Sequence, residues 1–212
     1  MRSENRLPRL VLFDLGNVLV SLRPLHLAFP LEELLAGPGV TRDELHRELT
    51  AFMRSEIFDR FERGLAAQEE FFGAMRARFP TRLSDSELEA CYSRILGDEV
   101  EGMAEVVDEV KRAGIRVAGL TDTSPVHLRM LSRYPAVRAL EMVIASCVTG
   151  RRKPDPETFR EALRRLRVGA EDVYYTDDVP ANVEGARRAG IRSDVFQGPA
   201  SVRRALGLGE RA

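Results

Sequence analysis

The chain has 212 residues, with 32 basic and 33 acidic side chains and a formal net charge of -1. It lacks the basic excess that nucleic acid or an anionic membrane surface would require. At 44% hydrophobic and 31% charged residues it has the composition of a globular protein of one or two domains with its own core, and no apolar run approaches the ~20 residues of a membrane-spanning helix. Cys91 and Cys147 form neither a C-x-x-C pair nor a disulfide framework. The opening MRSENRLPR lacks the apolar stretch of a secretory signal. The expectation is a cytoplasmic protein with reduced thiols.

The first element is read from LVLFDLGNVLV, residues 10–20. Residues 9–15 form a short apolar run ending at Gly16, which predicts a buried strand. One carboxylate, Asp14, stands at its end, and a Gly-Asn turn follows. From about 21 to 96 the pattern turns helical. Thr41-Arg-Asp-Glu44 and Ser84-Asp-Ser-Glu87 both fit the capping box, and Ala66 to Phe79 is a helical run ended by Pro80. No strand is expected in this segment.

Beyond it, strands and helices alternate. Met103, Val106, Val107 and Val110 share one helix face, and Gly114 ends that helix. Residues 115–120 and 142–146 read as strands. Asp155 caps a helix with Pro156 at its first position, whose inner face is Phe159, Ala162, Leu163 and Leu166. Residues 172–175 form another strand, followed by a helix to Ala189 and then Gly190. Lys111–Arg116 and Arg187–Arg192 repeat one helix-to-strand joint, and a last short helix follows Gly198. This alternation predicts an α/β fold: a doubly wound, Rossmann-like parallel sheet formed by residues 1–20 and 97–212, with residues 21–96 inserted as an all-helical cap.

Open parallel sheets bind ligands beyond the carboxyl ends of their strands. Those ends carry Asp14, then Thr121 and Asp122, then Asp177 and Asp178, with Lys153 in the intervening GRRKPDP stretch. An acid at a strand end is commonly a turn residue, and a lone lysine is commonly solvated. However, all but two of the basic residues are arginine, so Lys153 stands out as a compact point charge suited to a phosphate or carboxylate. Adjacent carboxylates after a buried strand repel each other unless a cation sits between them, and a hard divalent ion with oxygen ligands would relieve that.

In order along the chain, FDLGNVL, GLTDTS, RKPDP and YYTDDVPANVEGA resemble the four motifs of the haloacid dehalogenase-like hydrolase superfamily, and the insert resembles its small helical cap. The DLGNV and DDVPAN variants resemble the subgroup containing bacterial glucose-1-phosphate phosphatases; DDVPAN also resembles the phosphatase domain of soluble epoxide hydrolases. The resemblance implies a magnesium-dependent phosphatase that hydrolyses a small phosphomonoester, with a sugar phosphate as the first guess. It implies Asp14 as nucleophile, and Thr121 and Lys153 as further catalytic groups. Thr121, Asp122 and Asn17 would meet the substrate. Mg2+ would be held by Asp14, the Gly16 carbonyl, Asp178 and Asp177.

One departure from the family pattern stands out. The second acid that usually follows the nucleophile by two residues, as general acid and base, is Gly16 here, and Asn17 cannot replace it. The acid often found four residues after the metal-binding Asp is Asn182. General acid–base catalysis contributes about 10²–10⁴-fold. Its loss would slow a phosphatase unless water or a cap residue moves the proton, or unless the leaving group needs little protonation. A binding or regulatory protein on this fold with no useful turnover is the alternative. A 2-haloacid dehalogenase fits less well, because those relatives use no magnesium and lack the acid pair. A phosphomutase would need the missing acid. His26, His46 and His127 show no metal spacing, and Cys91, Arg63 and the arginines of 160–167 fit packing or surface roles. The oligomeric state is not readable.

Overall fold

The computed structural model describes residues 6–29, 41–79 and 81–208. Pro80 and the chain ends, named above, lie outside them. In chain order the described residues carry β1 (Leu10–Phe13), β2 (Val20–Leu22), α1 (Arg42–Phe52), α2 (Glu56–Glu62), α3 (Gln68–Arg78), α4 (Asp85–Ser93), β3 (Leu96–Glu99), α5 (Met103–Arg112), β4 (Arg116–Thr121), α6 (Pro125–Met130), β5 (Val143–Ala145), α7 (Pro156–Leu166), β6 (Val173–Asp177), α8 (Pro180–Arg188), β7 (Arg192–Val195) and α9 (Pro199–Leu206). Shorter helical turns lie between them. No helix among the described residues is long and apolar enough to cross a membrane.

The main sheet is parallel, in the order β5-β4-β1-β6-β7. All four residues of β1 are buried, because helices cover both faces of the sheet and a strand so placed is apolar on each side. Val11 and Phe13 face the cluster that holds Met103, Val106 and Val110 of α5 and Val202 of α9. Leu10 and Leu12 face Phe159, Ala162 and Leu166 of α7 and Ala186 of α8. β1 is central, and the chain moves outward from it in both directions, first to β4 and β5, then to β6 and β7. Strand order therefore reverses at β1, and the crevice beyond its carboxyl end is where such sheets take ligands.

The helical segment has its own core. Phe52, Phe61, Phe71, Phe72, Met75 and Tyr92 are buried together, with Phe61 and Phe71 stacked at 4.3 Å. Both expected capping boxes are formed, at Thr41 and at Ser84. The absence of strand in residues 21–96 needs correcting at both edges. β2 and β3 pair antiparallel, Val20 with Glu99 and Leu22 with Leu96, so the segment leaves and rejoins the sheet through a two-stranded ribbon. Three- and four-residue strands such as Val-Ser-Leu and Leu-Gly-Asp-Glu are too short to show alternation.

Candidate active site

Asp14 directly follows β1, and its N–H still donates to the Thr176 carbonyl of β6 at 3.0 Å. The carboxylate is thus fixed by the sheet and is nearly inaccessible, at 6%. Thr121 ends the neighbouring β4, and Asp177 ends β6 on the other side. The two neighbours of the central strand therefore bring their terminal side chains to the same edge.

Lys153 arrives from the loop before α7. Its ammonium lies 2.5 Å from Asp14 Oδ1, 2.9 Å from Asp177 Oδ2 and 3.4 Å from the Leu120 carbonyl oxygen. That loop is seated closely on α8: a Cβ at Gly185 would stand 2.3 Å from the Pro154 carbonyl oxygen, so only glycine allows the approach. Burial opposes the Lys153 charge, yet Asp14, Tyr175 and Asp177 together hold its pKa well above the usual range. The ammonium is fixed as a cation.

Carboxylate oxygens of Asp14, Asp177 and Asp178 all lie within 4.8 Å of one another. Asp177 is the most restrained of the three. Its carboxylate accepts from Lys153, from the Tyr175 hydroxyl, from the Val179 N–H at 2.8 Å and from the Asn182 amide at 3.0 and 3.1 Å. Burial pushes its pKa up, but Lys153 and Tyr175 outweigh that and hold it below the usual range. Asp14 is displaced the other way: burial raises it, the Asp177 charge adds to that, and Lys153 only partly opposes both. Asp14 and Asp177 thus share one neutralising lysine, with Asp178 beside them. The set is all-oxygen, convergent and short of positive charge, and those properties suit a hard divalent cation.

The expected substrate contacts are placed differently from one another. Thr121 is buried at the strand end and lines a cavity together with Gly16. Asp122 also lines it, but its carboxylate accepts the Lys153 backbone N–H at 3.2 Å and faces Arg152 at 3.7 Å. Asn17 has both ends of its amide engaged within the protein: Nδ2 donates to Asp178 at 3.1 Å, and Oδ1 accepts the Leu22 N–H at 2.9 Å. It sits in the left-handed region at φ 54°, which asparagine tolerates better than most residues. Asn17 therefore ties the turn after β1 to the acid pair after β6.

Three groups went unassigned in the sequence. Arg152 joins the helical segment to the sheet, with ion pairs to Glu62 at 2.6 Å and Asp59 at 3.0 Å. Glu62 is buried, and burial raises its carboxyl to about 7 against the pull of Arg152. Tyr175 is the third. Arg151 and Arg152 are adjacent in sequence, and nothing in their spacing tells the bridging residue from its exposed neighbour. Arg63, expected at the surface, donates to the Gly150 carbonyl at 3.1 Å. Beside it, Gly64 has φ 68° and approaches the Cys147 carbonyl so closely that a Cβ would lie 2.1 Å from the oxygen.

The model for haloacid dehalogenase-like hydrolases matches residues 8–190. The chain belongs to this family. Among the relatives that the chain matches, the protein CbbY of Cereibacter sphaeroides is 29% identical over 89% of this chain and 84% of its own. The phosphorylated carbohydrates phosphatase of Thermotoga maritima is 28% identical over 85% of this chain and 81% of its own. The sesquiterpene phosphatase astK of Aspergillus oryzae is 23% identical over 85% of each. A family enzyme from Bacteroides thetaiotaomicron, solved with magnesium and inorganic phosphate, superposes with a TM-score of 0.75. It is 20% identical, covering 90% of this chain and 95% of its own. The protein is a hydrolase with the family's Rossmann-like sheet.

Proposed function

We propose that this hydrolase is a magnesium-dependent phosphatase that cleaves a small phosphomonoester through an aspartyl-phosphate on Asp14. The observation that carries the reading is the convergence of Asp14, Asp177 and Asp178 within 4.8 Å, with the Lys153 ammonium 2.5 Å from Asp14. A dianionic ester will not approach two buried acids and a half-buried third unless positive charge offsets them. The phosphatase names among the relatives, and the magnesium and phosphate in the Bacteroides enzyme, support the same chemistry. A division into a core of residues 1–20 and 97–212 and a cap of residues 21–96 belongs to this proposal, as does a cytoplasmic location.

Asp14, Asp178, Asp177 and the Gly16 carbonyl are the groups that would hold the ion. When bound, magnesium supplies Lewis-acid polarisation of a phosphoryl oxygen and offsets the carboxylate charge. The rest falls to the chain's own residues. An Asp14 oxygen attacks phosphorus and the ester P–O bond breaks, so the alcohol oxygen leaves with the electron pair. Lys153 and the Thr121 hydroxyl stabilise the charge on the phosphoryl oxygens. Water then cleaves the acyl phosphate, releasing inorganic phosphate and regenerating the Asp14 carboxylate. Tyr175 and Asn182 hold Asp177 in place through both steps.

The absence of a carboxyl at Gly16 favours one second reading, a family member that binds a phosphate ester but turns it over too slowly to matter. Acid-quenched reaction with a phosphoryl donor, followed by peptide mass analysis, separates the two. Phosphoryl mass on the peptide containing Asp14 is expected. A peptide that stays unmodified while phosphate is released contradicts the covalent step.

A further inference from the structure

Beside the acid cluster lies a cavity of about 180 Å³ that opens onto Gly16 and Thr121. Its outer wall comes from the ribbon and the helical segment: Leu22, Leu25, Met53, Phe58, Tyr92 and Ile95. Leu15, Val20, Leu96 and Leu131 complete an apolar lining. Besides the hydroxyls of Thr121 and Thr123 at the strand end, three polar side chains line the cavity, and each is engaged within the protein. The Glu62 carboxylate holds Arg152 at 2.6 Å. The His127 ring nitrogen is 2.8 Å from the Tyr92 carbonyl oxygen, and its ring stacks on Tyr92 at 4.2 Å. The Asp122 carboxylate accepts from the Lys153 N–H. A sugar ring placed here would surrender its hydroxyls' hydrogen bonds to water and regain few of them. An apolar ring would lose nothing by entering.

Size narrows the choice. A cavity of ~150 Å³ lined by aliphatic and aromatic side chains accommodates benzene, so 180 Å³ suits one six-membered ring. The chemistry at Gly16 narrows it again. With no carboxyl there to protonate the departing oxygen, an alcohol whose anion resembles hydroxide, at a pKa of ~15.7, leaves poorly. A phenol ionises near 10 and leaves as aryloxide, taking its proton from water afterwards.

We infer that the organic group of the substrate is a single apolar aromatic ring, so that the enzyme acts on aryl phosphomonoesters; this rests on the phosphatase reading above. Asp14 attacks phosphorus, the bond from phosphorus to the aryl oxygen breaks, and that oxygen departs with the electron pair as aryloxide, which takes a proton from water, while the ring stays against the apolar lining.

Three six-membered-ring esters test this with added Mg2+ and Asp14→Asn as the blank: phenyl phosphate, cyclohexyl phosphate and a myo-inositol monophosphate. Phenyl and cyclohexyl phosphate match in size and apolarity and differ in the acidity of the leaving oxygen. Cyclohexyl and inositol phosphate share a carbon ring and differ in hydroxyls. Phenyl phosphate is expected to exceed cyclohexyl phosphate in kcat/KM by about 100-fold or more. Cyclohexyl phosphate is expected to have a KM about tenfold below that of the inositol ester. Equal rates for phenyl and cyclohexyl phosphate would reveal a hidden acid and overturn the aryl assignment. A lower KM for the inositol ester would overturn the apolar one. In both cases Asp14-dependent hydrolysis would leave the phosphatase reading standing. Failure to hydrolyse any of the three, and acetyl phosphate as well, would overturn both.

Discussion

The two walls of the site are built from opposite materials. The sheet's wall concentrates charge: three carboxylates with oxygens within 4.8 Å of one another, two of them buried and paired to the buried Lys153 ammonium. The wall facing it, from the ribbon and the helical segment, is hydrocarbon and aromatic. The first is assembled from strand ends that hydrogen bonds hold in register. The second rests on an aromatic cluster built on Phe61 and Phe71, into which Val126 of α6 also packs; its ties to the sheet side include Arg152 to Asp59 and Glu62, Arg63 to Gly150, Ser146 to the Glu62 carbonyl at 2.6 Å and His127 to the Tyr92 carbonyl. On the proposed mechanism the bond-breaking groups sit on the first wall, and the groups that would touch the rest of a substrate sit on the second. A change on the first should alter the chemistry for every ester, and a change on the second should alter which ester is taken.

Lys153→Met breaks the comparison hardest. It removes the ammonium from between Asp14 and Asp177, and leaving a buried ion pair without one partner costs about 3–5 kcal/mol. It is expected to reduce kcat by about 10²–10³-fold on all esters. Urea unfolding at pH 7 together with kinetics checks both effects. Unchanged stability would mean that the cluster is not neutralised by this lysine.

Gly16→Asp sharpens the comparison, because Gly16 belongs to both walls. A Cβ there would meet Leu22 Cδ1 at 3.1 Å and Asp14 Oδ2 at 3.8 Å. Leu22 is 43% exposed and flexible enough to give way. The variant should therefore fold and regain a proton donor. Turnover of cyclohexyl phosphate is expected to rise by up to about 10²-fold, with little change for phenyl phosphate. A rate that stays flat on both would remove the missing acid from the explanation.

A smaller effect belongs to the apolar wall. Burial lowers His127 from its usual 6.5 to about 4, so the ring is neutral in the folded protein. Below pH 6.5 the unfolded chain takes up a proton that the fold refuses until about pH 4. Stability from this group is therefore full above 6.5 and is lost as pH falls towards 4, by up to about 3 kcal/mol. His127→Gln keeps an N–H for the Tyr92 carbonyl but cannot titrate. The stability gap between wild type and variant should narrow or reverse between pH 7 and pH 4.5. A constant gap would show that the ring is hydrated.

The rigid wall was far more legible in the sequence than the apolar one. Asp14, Thr121, Lys153 and the Asp177-Asp178 pair stand out because a polar residue ending an apolar strand breaks a strong local pattern, and a lone Lys among arginines breaks a compositional one. The capping boxes at Thr41 and Ser84 are equally local, and both are formed. The ribbon was missed because its strands are too short to carry a period. Arg152, Glu62 and Tyr175 were missed because their roles depend on partners distant in sequence: Arg152 reaches Asp59 across 93 positions. Asn17 was expected at the substrate. In the structure it ties Asp178 to the backbone at Leu22, a link that its left-handed turn creates and that residue type alone does not announce.

The central claim is that the strand-end acids, with a divalent ion, form a phosphoryl-transfer centre whose nucleophile is Asp14. Phosphate release from a panel of phosphomonoesters and acetyl phosphate, measured with Mg2+ and with chelator for wild type and Asp14→Asn, tests it most directly. Release that requires Mg2+ and disappears with Asp14→Asn is predicted. Release that persists in the chelator, or in the Asp14→Asn protein, would contradict it.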